Sequence, residues 1–240
     1  MIEYNSKSSF ASSASRATSF DSALRDYMVK VYQYMSIALA ISGVIAFMVA
    51  SSPQLMQAIF GTPLAYVVMF APLVFVFIFG FKINSISAQK AKSFLWIYAG
   101  LMGLSLATIF AVYTATSITR VFLITASTFG AMSLYGYTTK KDLTNIGSFL
   151  IMGLIGLMIA SLVNIFLKSS ALEFALSIIG VFIFIGLTAY DTQRIKQTYY
   201  HFAGHDEAVN KMAVMGALSL YMDFINLFIM LLRFFGERKD

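Results

Sequence analysis

The chain has 240 residues, of which 59% are hydrophobic and only 12% charged, and its mean hydropathy is +0.78. A soluble domain carries about 25% charged residues, so this chain cannot cover a globular surface in water and lipid must be its main solvent. Cysteine is absent, which excludes disulfides and thiolate chemistry, and the net charge of +6 is scattered between apolar runs, so it serves membrane topology and nucleic acid is not an expected partner.

Residues 1–26 are polar and contain eight serines. They lack the apolar core of a signal peptide. Their Ser and Arg content has some likeness to an organellar transit peptide, against which stand Glu3, Asp21 and Asp26. The expectation is a disordered cytoplasmic tail, a transmembrane domain over 27–236, and a short polar tail at 237–240.

No charged residue occurs from Val31 to Phe81, and Ser51-Ser52-Pro53 and Gly61-Thr62-Pro63 interrupt that stretch. A helix needs about 20 apolar residues to cross the hydrocarbon, so two spans are predicted, 27–50 and 63–81. Lysines at 82, 90 and 92 mark the next loop. Spans three to five are predicted at 93–113, 118–138 and 146–167, span six at 172–190 and span seven at 211–235, with a polar loop over 191–210. An unpaired strand in lipid would cost several kcal/mol per backbone group, and barrel strands are half as long as these runs. The fold class is therefore an all-α membrane protein, a bundle of seven transmembrane helices.

With the N-terminus inside, twelve Lys and Arg fall on the cytoplasmic side and five on the other, as the positive-inside rule prefers. The basic C-terminus pulls the other way, and a six-span arrangement with a re-entrant last helix would place it inside. Glycines recur at 43, 100, 103, 130, 153, 156, 180, 186 and 216, with Ala160, and allow close helix approach. Gly130-Ala131-Met132-Ser133-Leu134-Tyr135 echoes Gly216-Ala217-Leu218-Ser219-Leu220-Tyr221, which reads as a shared packing face.

The informative residues are charges placed where charge is expensive. Asp223 lies in the middle of span seven, where a carboxylate costs a few kcal/mol and must face protein or water. Gly216, Ser219, Asp223, Asn226, Met230 and Arg233 follow one another at intervals of 3 and 4, one line on a helix. That line is small and polar, so span seven is expected at the bundle centre, with Ser219 and Asn226 supporting Asp223. Asp191 ends span six. If it meets Asp223, the two carboxylates cannot both ionise cheaply and share a proton. The pair would then be a proton switch that, once deprotonated, repels or takes a cation such as Ca²⁺. The two meet only if span six continues past Tyr190 or span seven begins later than hydropathy suggests. His201 and His205 are too few for a structural zinc site.

Gly186-Leu187-Thr188-Ala189-Tyr190-Asp191-Thr192-Gln193 and Leu220-Tyr221-Met222-Asp223-Phe224-Ile225-Asn226-Leu227-Phe228 resemble signatures of the Bax inhibitor-one (transmembrane Bax inhibitor motif) family. Phe129-Gly130-Ala131-Met132-Ser133-Leu134-Tyr135-Gly136-Tyr137-Thr138-Thr139-Lys140 is similar to its bacterial YbhL/YccA-type branch. The resemblance implies seven helices with the last one central, a pH-sensitive aspartate pair at Asp191 and Asp223, and a Ca²⁺ leak across a bacterial cytoplasmic membrane. It also implies a link to a membrane-bound AAA protease, so a non-transporting regulator that binds such a protease is the alternative. Members with a described gate latch the pair with an arginine on the second helix. Span two has none here. Lys82 and Arg194 are the candidate cations, and lysine cannot reproduce a bidentate pairing. No enzyme activity and no resident cofactor are expected. An intramembrane aspartyl protease is the remaining class, with Tyr190-Asp191 matching half of such a site and Met222-Asp223 lacking the glycine-rich context of the other half.

Overall fold

The computed structural model describes the backbone of residues 3–239 and the side chains of residues 21–83 and 85–239. Among these, eight α-helices follow in chain order: α1 (Glu3–Ala50), α2 (Pro53–Phe60), α3 (Leu64–Lys82), α4 (Ala88–Val112), α5 (Ala115–Thr138), α6 (Thr144–Leu167), α7 (Ser170–Phe202) and α8 (Asp206–Phe235). All but α2 are long and apolar enough to cross a membrane, α1 from Asp21 onward. Local signals set several of the starts. Ser52, Ser87, Thr114 and Ser169 each accept a hydrogen bond from an amide in the first turn of α2, α4, α5 and α7, satisfying a donor that the helix itself leaves unpaired.

The bundle is organised around α8, which packs on α1, α4, α5 and α7. Of its apolar window 67% is buried, against 11% for α3 and 6% for α6. Helix α3 leans on α4 and α6 on α7, leaving their outer faces to lipid. Close approach to the centre depends on missing side chains. A Cβ at Gly103 of α4 would lie 2.8 Å from the Ser42 carbonyl oxygen of α1, and one at Gly136 of α5 would collide with the Ala189 carbonyl of α7. Gly43, Gly130 and Gly156, by contrast, face open space. The echo between spans four and seven is not a shared packing face: Tyr135 is exposed where its counterpart Tyr221 is fully buried.

The six-span arrangement does not occur. Helix α8 is unbroken for 30 residues, and the chain end docks at the turns on the face opposite the α7–α8 turn. There the Thr114 amide donates to the Glu237 carbonyl at 3.1 Å and the Lys239 amide to the Val112 carbonyl at 2.9 Å. Arg120 pairs with Glu237 at 3.3 Å. At the other face, the Glu207 carboxylate accepts from the Ala88 amide at 2.7 Å and Lys30 donates to Asn210 at 2.6 Å, joining the starts of α8 and α4 to the middle of α1.

Two boundaries differ from expectation. Within the expected tail, residues 21–26 are helical and Leu24 is buried; the side chains of residues 1–20 lie outside the described set. The expected loop at 191–210 is mostly helix. Helix α7 continues to Phe202, which makes His201 helical, and only residues 203–205 turn, with Gly204 at φ 91°. Its 33 residues make about 50 Å of helix, well beyond a hydrocarbon layer of about 30 Å. The polar residues of this extension have partners. Gln193 accepts from the Leu143 amide at 2.9 Å and donates to the Lys141 carbonyl at 2.8 Å. Lys196 donates to the Tyr137 carbonyl at 2.9 Å. The α5–α6 connection is thereby tied to α7.

Gly136→Ala is expected to lower the thermal midpoint of the detergent-solubilised protein, at a cost of about 1–3 kcal/mol for overpacking, while Gly156→Ala leaves it unchanged. Gln193→Leu strands two backbone groups at about 1–3 kcal/mol together; amide exchange at Leu143 should accelerate at least about tenfold, and unchanged exchange would show that the tie holds nothing.

Candidate functional site

The α7–α8 pair is antiparallel, and two contacts fix its register. Gly216 admits Ile195, and Gly180 admits Met230. Asp191 and Asp223 lie between these contacts, about one helical turn out of register. Side chains can span that gap across a close interface. The two carboxyl groups thereby come close enough to interact across the interface. The depth difficulty raised by hydropathy is resolved by the continuation of α7 past Tyr190.

Two carboxyls this close can bond to each other only if one of them carries a proton and donates it. Asp223 is 5% exposed, and its Oδ2 receives no hydrogen bond from any N–H or hydroxyl among the described residues. Buried polar atoms are rarely left without a partner. A proton held between the acids supplies one, whereas two bare carboxylates would leave both lone-pair sets facing each other in an apolar interior. Asp191 is half-buried, toward the solvent end of the pair.

The expected cations take unequal positions. Arg194, one turn along α7, acts electrostatically on Asp191 and is itself exposed. Lys82 is exposed at the end of α3 and forms no ion pair among the described residues. Ser219 and Asn226 do not support the pair. Both are half-buried, and the Asn226 amide donates to the Met222 carbonyl of its own helix at 2.9 Å. Along the line Gly216, Asp223 and Met230 are buried, Ser219 and Asn226 half-buried and Arg233 exposed, while residues on other sides of α8 are buried as well, so no single face is distinguished as its inner one.

No group of three or more His, Cys, Asp or Glu that could hold a metal occurs among the described residues. Ca²⁺ takes 6–8 oxygens, of which two carboxylates supply at most four.

Sequence reasoning missed two polar clusters near the pair. Ser42 of α1, buried at 1% exposure, bonds to the Ala99 carbonyl at 2.7 Å and to the Tyr221 hydroxyl at 2.7 Å. This joins α1, α4 and α8 two residues before Asp223. Next to Asp191, Thr192 bonds to Ser133 at 2.9 Å, and Ser133 bonds to Tyr32. A lone serine inside an apolar run gives no sign of its partner, and only the Ser-to-Tyr pairing across helices would have revealed these clusters.

The chain matches the family described as "Inhibitor of apoptosis-promoting Bax1" over residues 24–240. It is 50% identical over 240 residues to an uncharacterised protein of Rickettsia prowazekii, covering all of both chains. It is 45% identical over 218 residues to the inner membrane protein YbhL of Escherichia coli K12, covering 90% of this chain and 93% of the relative. An uncharacterised membrane protein of Streptococcus pyogenes serotype M3 is 34% identical over 223 residues, covering 92% and 96%. The matched region runs from the first spanning helix to the chain end and includes both aspartates; this multi-pass membrane protein belongs to the Bax inhibitor-one family.

Proposed function

We propose that this chain is a proton-gated passive leak for cations, Ca²⁺ foremost, in the bacterial cytoplasmic membrane. The observation that carries the reading is the apposition of Asp191 and the buried, otherwise unpartnered Asp223 across the packed α7–α8 interface. Protonated, the pair ties the two helices together. Deprotonated, it places two negative charges in contact where the surroundings screen them poorly. Their repulsion parts α7 from α8 and offers carboxylate oxygen to a cation. Arg194 is the cation assigned to this pair in place of a latch on α3. The YbhL relative is named an inner membrane protein, which supports the location, and the Lys and Arg partition supports a cytoplasmic N-terminus.

No catalytic step and no resident cofactor belong to this reading. A proton-sharing aspartate pair is also the chemistry of aspartic proteases, so the absence of peptide cleavage by the purified protein is part of the proposal. The AAA-protease regulator would use the polar tail and the stretch at 191–210 as contact surfaces, and the second of these is largely the continuation of α7.

Ca²⁺ uptake into proteoliposomes of pure protein is expected to vary with pH between about 5 and 8, and Asp223→Asn to abolish that dependence. Uptake in Asp223→Asn that keeps the wild-type pH profile would reject the gate. Asp142, on the α5–α6 connection, is the internal control. The Thr144 hydroxyl and amide donate to it at 2.6 and 2.9 Å and hold its carboxyl below the usual carboxylate range. Its contribution to local order is present above the unfolded value of about 3.9 and is lost only as pH falls through the lower folded value. Asp142→Asn should therefore leave the flux profile unchanged over the same window.

A further inference from the structure

Helices α1 and α5 both pack on α8, and a groove runs between them. Its larger part is a cavity of about 520 Å³, bounded by Arg25, Met28, Tyr32, Phe129, Gly130 and Ser133 among others. Val29 and Leu134 also line it and are 45% and 63% exposed, so it opens sideways onto the acyl layer. A second, smaller cavity of about 110 Å³ continues the groove beyond Phe122 and Phe224. Phe224 meets Phe122 and Phe129 edge-on, with ring centroids 5.5 and 5.4 Å apart, and these three rings separate the two cavities. The larger cavity is therefore a trough with an apolar floor, an aromatic end wall and one charged end.

The charged end is Arg25. It forms no ion pair among the described residues, although Asp21 lies one turn earlier on the same side of α1. A second cation stands near this edge: Lys196 lies 5.1 Å from the ring centroid of Tyr137, another residue of the lining. Arg25 to Met35 covers ten residues of α1, about 15 Å of helix, a length that suits an extended acyl chain. The volume falls within the range of about 300–1,000 Å³ typical of ligand pockets. An apolar trough open to lipid, ending at a guanidinium with no ion pair among the described residues, complements an anionic phospholipid in charge and shape, since guanidinium forms strong bidentate bonds with phosphate.

We infer that the α1–α5 groove is a binding site for an anionic phospholipid, with one acyl chain in the trough and the phosphate on Arg25. Gly130 makes the inference testable without disturbing the fold. A Cβ there meets nothing within 4 Å, so a larger side chain projects into the trough and displaces lipid, not protein. Native mass spectrometry of the full-length detergent-solubilised protein, titrated with phosphatidylglycerol or phosphatidylcholine, reads the site directly. The wild type should retain phosphatidylglycerol at least about fivefold more strongly than phosphatidylcholine. Gly130→Phe should lose about tenfold in affinity for both, Gly130→Ala should bind as wild type, and Arg25→Gln should lose only the preference for phosphatidylglycerol. Equal retention by Gly130→Phe and wild type would overturn the site. So would a wild-type dimer that Gly130→Phe dissolves, which would give the groove to a second copy. Cross-links from residues 1–20 into the trough that persist in excess lipid would also overturn it, giving the groove to the start of this chain.

Discussion

The arrangement depends on one constraint: a carboxyl group in the middle of the last helix cannot face hydrocarbon. Asp223 must be enclosed by protein and must have a partner. Enclosure places α8 at the centre with α1, α4, α5 and α7 around it, and partnership sets the register of α7, which brings Asp191 within hydrogen-bonding reach. The peripheral helices follow from the same geometry. Helices α3 and α6 have no carboxyl group to hide, touch mainly one neighbour each, and present apolar surface to lipid. Glycine enters where backbones must close on this centre, as at Gly103 and Gly136.

Much of the fold is legible in the sequence because lipid imposes a simple rule on length and polarity. Spans two to five begin and end within a few residues of expectation. The rule fails at residues 191–202. Hydropathy measures the cost of moving a residue into lipid and is blind to partners offered by another helix. Gln193 and Lys196 read as loop residues, yet Gln193 finds backbone groups on the α5–α6 connection and Lys196 one in the last turn of α5, and the helix runs on. The same blindness hides Ser42, whose partners lie 57 and 179 residues away.

The site was legible residue by residue and not as a geometry. Asp191 and Asp223 stand out as charges that lipid would reject, but whether they touch depends on the end of α7 and on the Gly216–Ile195 and Gly180–Met230 contacts, which no single helix reveals. The polar line through Ser219 and Asn226 marks an inner face only on a helix that has a single one. A helix enclosed on most sides has no such face, and Asn226 satisfies itself on its own backbone.

The central position of α8 has a consequence for biogenesis. A chain made from its N-terminus delivers its helices in order, so the helix on which α1, α4, α5 and α7 all pack leaves the ribosome after all four of them. Until it arrives, the earlier spans have no axis to gather around, and Ser42 of α1 must await Tyr221. The membrane insertion machinery, or the lipids themselves, must shelter a hollow ring of helices, and a message truncated before α8 would yield segments that insert and never assemble.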